Sequence, residues 1–219
     1  GGAAVSNTDG DVQSNVSANV ANGFSIVKGT GSGSGVQTVG HGLNSAPELV
    51  IVKNLNTIDN SFVYSSPTGV SKYLQLNTTA QPFTWFQNMV VNSTEIGLRQ
   101  ESVGSWGNLI AYCFHSVAGV SKVGSYSGNG NNTGPVVNTG FEPSFVLIKA
   151  TSRAGNWIML DNKRNTSDPR DNPLYANTNG LENINQINRV NFDSTRFQVV
   201  GTGGDTNENG HTYIYYAIA

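Results

Sequence analysis

Ala46-Pro47-Glu48-Leu49-Val50-Ile51-Val52-Lys53 returns 96 positions later as Glu142-Pro143-Ser144-Phe145-Val146-Leu147-Ile148-Lys149. Working outward, Gly42-Leu43 matches Gly140-Phe141, and Asn60-Ser61-Phe62-Val63 matches Asn156-Trp157-Ile158-Met159. Leu74 to Thr78 matches Leu174 to Thr178, and Ser93-Thr94-Glu95-Ile96 matches Ser194-Thr195-Arg196-Phe197. Both halves close on a similar strand, Ile110-Ala111-Tyr112-Cys113-Phe114 and Ile214-Tyr215-Tyr216-Ala217-Ile218, by which point the offset has grown to 104. The insertions therefore fall between strands. A tandem repeat that keeps its apolar positions while its polar ones change is selected first for a shape, which points to a structural or display module.

Composition narrows the class. At 219 residues the chain can bury one large core or two small ones. Only 12% of residues are charged and the net charge is −2, so no basic stripe exists to neutralise phosphates and nucleic acid is not expected as a partner. There are 28 Asn and 26 Gly, a bias that suits short strands joined by tight turns. Helical periodicity is nearly absent, and apolar runs such as Phe145 to Ile148 fall far short of the roughly 20 residues of a membrane span, so no membrane insertion is expected. The lone Cys113 cannot close an internal disulfide and reads as a buried thiol, since its repeat counterpart is Ala217.

Turn punctuation and period-two stretches set the organisation. Residues 1–22, with the turn signal Thr8-Asp9-Gly10-Asp11, read as an arm or linker, followed by a repeat at 23–118 and another at 119–219. Each repeat offers about six strands: Gly23–Lys28 with Val123–Ser127, Leu49–Asn54 with Phe145–Ala150, and Phe62–Ser65 with Trp157–Asp161. The others are Tyr73–Asn77 with Leu174–Ala176, Glu95–Arg99 with Arg196–Val200, and Asn108–Phe114 with Thr212–Ile218. Such spacing predicts an all-β chain of two similar antiparallel sandwich modules, jelly-roll-like in character.

Several of these segments resemble a duplicated domain of unknown function found in tailed-bacteriophage proteins, chiefly from marine phages. They include Thr8-Asp9-Gly10, Gly23-Phe24-Ser25-Ile26-Val27, Val39-Gly40-His41-Gly42-Leu43, Ile51-Val52-Lys53-Asn54, Gly124-Ser125-Tyr126-Ser127-Gly128-Asn129-Gly130 and Gly155-Asn156-Trp157. The resemblance covers nearly the whole chain. It implies a virion structural or tail-fibre component within a longer parent protein, a location on the phage particle, other virion subunits as partners, homo-oligomerisation and a role in host attachment. It carries no catalytic residues and no cofactor.

The candidate chemistry is sparse. The glycine-rich stretch Gly29 to Gly35 is followed by Val36-Gln37-Thr38-Val39, which reads as a strand, so it lacks the helix N-terminus a phosphate cradle needs. His41, His115 and His211 are scattered, and His41 in Gly40-His41-Gly42 reads as an exposed turn tip. Asp205, Asn207 and Asn209 reproduce the first half of a calcium loop, but the closing bidentate acid is missing, so an Asx-rich turn is favoured over a metal site. Asp161, Asp168 and Asp171 stand among Lys163, Arg164 and Arg170, a solvated charge cluster rather than the paired carboxylates of a glycan hydrolase. No nucleophile elbow is present, and no enzyme is expected.

Aromatics carry the alternative. Trp157 reads as packing, whereas Trp106 in Gly104-Ser105-Trp106-Gly107-Asn108 lies in a turn, where an aromatic ring calls for a contact. Trp85, Trp106 and Asn108 are accordingly the candidate residues for stacking and hydrogen bonding to a bacterial surface glycan. A structural virion subunit and a lectin-like receptor-binding module are the two readings that remain.

Overall fold

The computed structural model describes residues 2–31, 36–84, 88–99, 108–182, 184 and 186–219. The chain divides into two compact units, Gly1–Leu76 with Pro82–Val117, and Asn77–Gln81 with Ala118–Ala219. Unit 1 holds β1 (Val5–Asn7), β2 (Ser14–Asn19), β3 (Phe24–Thr30), β4 (Val36–Gly40), β5 (Leu49–Asn54), β6 (Phe62–Ser65) and β7 (Lys72–Gln75). It continues with β8 (Phe83–Thr84), β9 (Val90–Val91), β10 (Glu95–Arg99) and β11 (Asn108–Phe114). Unit 2 holds β12 (Ser121–Ser127), β13 (Thr133–Asn138), β14 (Phe145–Ala150), β15 (Trp157–Asp161), β16 (Leu174–Tyr175), β17 (Arg189–Asp193), β18 (Arg196–Val200), a single helical turn α1 (Gly204–Asn207) and β19 (Thr212–Ile218).

The strand orders confirm the duplication. Unit 2 has a sheet β12-β19-β14-β15-β16 and a second sheet β13-β18-β17; unit 1 has β1-β2-β3-β11-β5-β6-β7-β8 and β4-β10-β9. With β1, β2 and β8 set aside, unit 1 repeats unit 2 strand for strand, with antiparallel neighbours throughout the shared sheets. Each unit is a β-sandwich whose eight shared strands divide five and three. Sequence reading paired six of the eight between the repeats. It took Val36–Val39 as a strand but missed its counterpart β13, where Pro135 and a register shift between Thr133 and Val136 break the alternation.

Residues 1–22 are corrected from an arm to part of unit 1. β2 pairs with β3 from Ser14↔Gly29 to Asn19↔Phe24, and β1 pairs with β2 in turn. Val16 is 3% exposed within the core, with Ala18 packed against it. The inward row Ser14, Val16, Ala18 contains a single large apolar residue, too faint an alternation to stand out in sequence.

In each unit the two sheets close on one core. Val27, Val50, Val52, Leu109, Ala111 and Cys113 of the large sheet meet Val39 and Ile96 of the small one. In unit 2, Val146, Ile148, Tyr213, Tyr215 and Ala217 meet Val137, Val190, Phe192, Phe197 and Val199. Burying each large apolar side chain contributes about 1.5–3 kcal/mol. The anchor strand β14 is apolar from Phe145 to Ile148 and covered on both faces: Val146 and Ile148 enter the core, while Leu147 and Lys149, on the other face, are buried as well. Among the described residues no helix is long and apolar enough to cross a membrane.

Candidate functional site

The polar groups of unit 2 gather where the β18–β19 connection folds over one end of the sandwich. Two core tyrosines hold it there: Tyr126 Oη donates to Thr206 O and Tyr213 Oη to Gly204 O, both at 2.8 Å. Burial pushes both phenols upward, so they remain protonated donors. Asn207, fully buried, is the pivot. Its Oδ1 accepts from Asn129 N at 2.9 Å, and its Nδ2 donates to Asn131 O and Gly201 O, both at 2.8 Å. Asp205 accepts from Asn156 through both oxygens, at 3.0 Å from the backbone N and 2.9 Å from Nδ2. Asn209 is exposed and packs on Gly130. The three candidate calcium ligands thus serve different neighbours and do not converge.

On the rim of this end, Ser152 Oγ and His211 Nδ1 lie 2.8 Å apart, and His211 Nε2 lies 3.9 Å from Glu208 Oε1, which also pairs with Arg153 through its other oxygen at 2.9 Å. A serine, a histidine and a carboxylate in line invite a hydrolytic reading. The serine oxygen also accepts the backbone N–H of Thr212 at 3.0 Å. In unit 1 the same position is Asn56, whose Oδ1 accepts from Asn108 N at 2.6 Å. The partner carbonyls match too, since Leu55 N donates to Asn108 O and Thr151 N to Thr212 O. The hydroxyl therefore closes the end of a strand pair, the work an amide does in unit 1.

Asn108 is held at this corner, its Oδ1 accepting from Thr30 Oγ1 at 2.8 Å. Trp85 and Trp106, proposed beside it for glycan stacking, lie outside the described residues, as do positions 32–35 of the glycine-rich stretch. Asp161, Asp168 and Asp171 are each committed elsewhere. Asp161 pairs with Arg164 at 2.6 Å, Asp168 accepts from Phe192 N at 3.1 Å, and Asp171 accepts from Asn165 Nδ2 at 2.7 Å. Burial acts to raise Asp161, but the Arg164 and Lys163 backbone N–H groups and the Arg164 guanidinium hold it below the usual carboxylate range, the reverse of what a general acid needs. Among the described residues no group of three His, Cys, Asp or Glu side chains could hold a metal ion.

Two buried groups were not singled out correctly from sequence. Lys149 is fully buried, yet its Nζ donates to Gly155 O at 2.6 Å and Thr79 O at 3.1 Å, clipping the loop that follows its own strand. Lys53, its counterpart, clips the equivalent loop by donating to Asp59 O. The shared terminal lysine of the anchor octapeptide was the available signal. Burial lowers Lys149 to about 8, partly opposed by Asp205. His41, expected at an exposed turn tip, is instead fully buried: Nδ1 accepts from Leu43 N and Nε2 faces Asn92 O, both at 3.1 Å. A Gly-His-Gly turn reads as exposed because sequence does not show that the β9–β10 turn lies over it.

Over residues 1–219 the chain matches the family described as Domain of unknown function (DUF7483). The chain belongs to this family. No curated protein and no solved structure gives a significant match.

Proposed function

We propose that the chain is a structural subunit of a bacteriophage virion, a β-sandwich repeat from a fibre, spike or capsid appendage that contributes to host attachment. The phage assignment rests on the sequence resemblance described above. One observation supports the assembly reading: Leu181, Ile184 and Ile187 stand 89%, 64% and 58% exposed on the connection between β16 and β17. Three large aliphatic side chains spaced three residues apart on one connection suit burial against a neighbouring subunit. At the loop end of unit 2, Asp205, Asn207 and Ser152 are held in internal hydrogen bonds, which favours a scaffold over a reaction centre.

The test is the mass of the full chain by light scattering, with glycan-array binding on the same sample. The reading expects a stable oligomer, reduced toward monomer when Leu181 and Ile187 are both changed to Asp. A monomer that binds defined bacterial sugars would replace it with the lectin-like module, for which Trp85, Trp106 and Asn108 are the residues to substitute.

A further inference from the structure

His41 sits between two turns of unit 1 and bonds to both. Its backbone N donates to Thr94 O at 3.1 Å, and its ring contacts Asn92 O from Nε2 and Leu43 N from Nδ1. An N–H can donate to Nδ1 only if that nitrogen carries no proton, so the ring is neutral with its proton on Nε2, which donates to Asn92 O. Unit 2 joins the equivalent turns without a titratable group and through a different atom, the Phe141 carbonyl accepting where the Leu43 N–H donates. Thr139 N donates to Thr195 O at 2.9 Å, and Thr139 Oγ1 bonds to Thr195 O and Phe141 O at 3.0 and 2.5 Å. Leu43 and Phe141, the residues stitched two positions on, are both core side chains.

We propose that His41 is an acid-sensitive latch: protonation at Nδ1 sets two donors against one another at Leu43, frees the turn between β4 and β5, and loosens unit 1 while unit 2, latched by Thr139, holds. The turn has little room to adapt, because Gly42 has φ +68° and a Cβ there would lie 2.8 Å from Val16 Cγ1. The charged and titratable groups facing the ring act in both directions. The carboxylates of Asp9, between β1 and β2, and Glu95, on β10, favour the imidazolium; His115, after β11, opposes it. Burial is the largest influence and keeps the ring neutral to lower pH than the ordinary 6.5. A histidine lowered in the folded state binds fewer protons there than in the unfolded chain. The stability present above pH 6.5 is therefore lost as the pH falls from 6.5 toward the folded value.

The experiment uses the full chain and follows the His41 ring by NMR together with hydrogen exchange at Leu43, corrected for intrinsic rates, from about pH 8 to about pH 5. The expected result is an Nε2–H tautomer at neutral pH, a ring midpoint below 6.5, and a several-fold loss of Leu43 protection that tracks it while the Thr139 amide, bonded to Thr195 O in unit 2, stays protected. His41→Thr should abolish that loss. The proposal is overturned if the ring titrates at or above 6.5, if the Leu43 and Thr139 amides lose protection together, or if His41→Thr is as acid-labile as the parent chain. Should His41→Thr not fold, the ring titration and the Leu43 comparison in the parent chain decide.

Discussion

At equivalent places in the two cores, unit 1 pairs Val27 with Ala111, whereas unit 2 pairs Gly124 with Tyr215. Two register positions further, on the same face, Gly29 faces Leu109 in unit 1 and Tyr126 faces Tyr213 in unit 2. Bulk has moved across the first strand pair and has been added at the second, while the backbone arrangement has stayed the same. A Cβ on Gly124 would lie 2.7 Å from Tyr215 Oη, so the glycine is the space the ring occupies. Across the sandwich, Ile96 is replaced by Phe197, which meets Tyr215 edge-on with centroids 5.3 Å apart, while Tyr126 stacks on Tyr213 at 5.1 Å. Unit 1 is thus built on aliphatic packing and unit 2 on an aromatic cluster whose hydroxyls also hold a loop. The same topology accepts either, because a core constrains local volume more tightly than residue identity.

The largest expected effect tests that exchange. Tyr215→Ala should destabilise unit 2 by about 4 kcal/mol in urea denaturation, and adding Gly124→Val, which recreates the unit 1 pair, should return about 1–2 kcal/mol. Strict additivity of the two substitutions would show that the positions are not coupled.

Next comes the lysine clip. Lys149→Ala takes the lysine donor from Gly155 O, while Thr79 O keeps the Gly155 N–H, and leaves a cavity besides, for a loss of about 2–4 kcal/mol, whereas the half-buried Lys53→Ala should cost about 1 kcal/mol. Because Lys149 falls from 10.5 to about 8 on folding, the unfolded chain holds the extra proton between those values. Its contribution therefore makes stability rise with pH across that window, and Lys149→Met should flatten the rise. Equal losses at the two lysines would mean that burial does not separate them.

A smaller and equal effect is expected at the strand ends. Asn56→Ala and Ser152→Ala each remove one acceptor for a strand-end N–H and should each cost about 1 kcal/mol. If Ser152→Ala instead abolished a hydrolytic activity while leaving stability intact, the serine would be more than a strand-end acceptor. The smallest change belongs to Cys113, fully buried and with its thiol pushed by burial to about 12. It should resist alkylation until the chain unfolds, and Cys113→Ala should cost about 1 kcal/mol or less, since unit 2 uses Ala217 there. A loss above roughly 2–3 kcal/mol would show a tighter site than the repeat implies.

The duplication, the sandwich class and most paired strands were legible because apolar residues recur at fixed places: Val50 with Val146, Val52 with Ile148, Leu74 with Leu174. The burial of Cys113 followed from the same comparison. β13 escaped because a proline interrupts it, and β17, although it alternates like a strand, has a counterpart of only two residues, Val90–Val91, for a repeat comparison to find. Candidate site residues were read less well, since Asp205, Asn207 and Asn209 look alike in sequence and are separated only by the partner each one meets.

Taken alone, the sequence determined that there are two copies of one all-β unit, because strand periodicity and turn chemistry are local and repeat with the chain. Tertiary structure decided which polar groups are spent inside. The hydrogen bonds of His41, Lys149, Ser152 and Asn207 join positions brought together by sheet pairing and loop docking, and whether such a group is buried and partnered or free to act depends on neighbours from elsewhere in the chain.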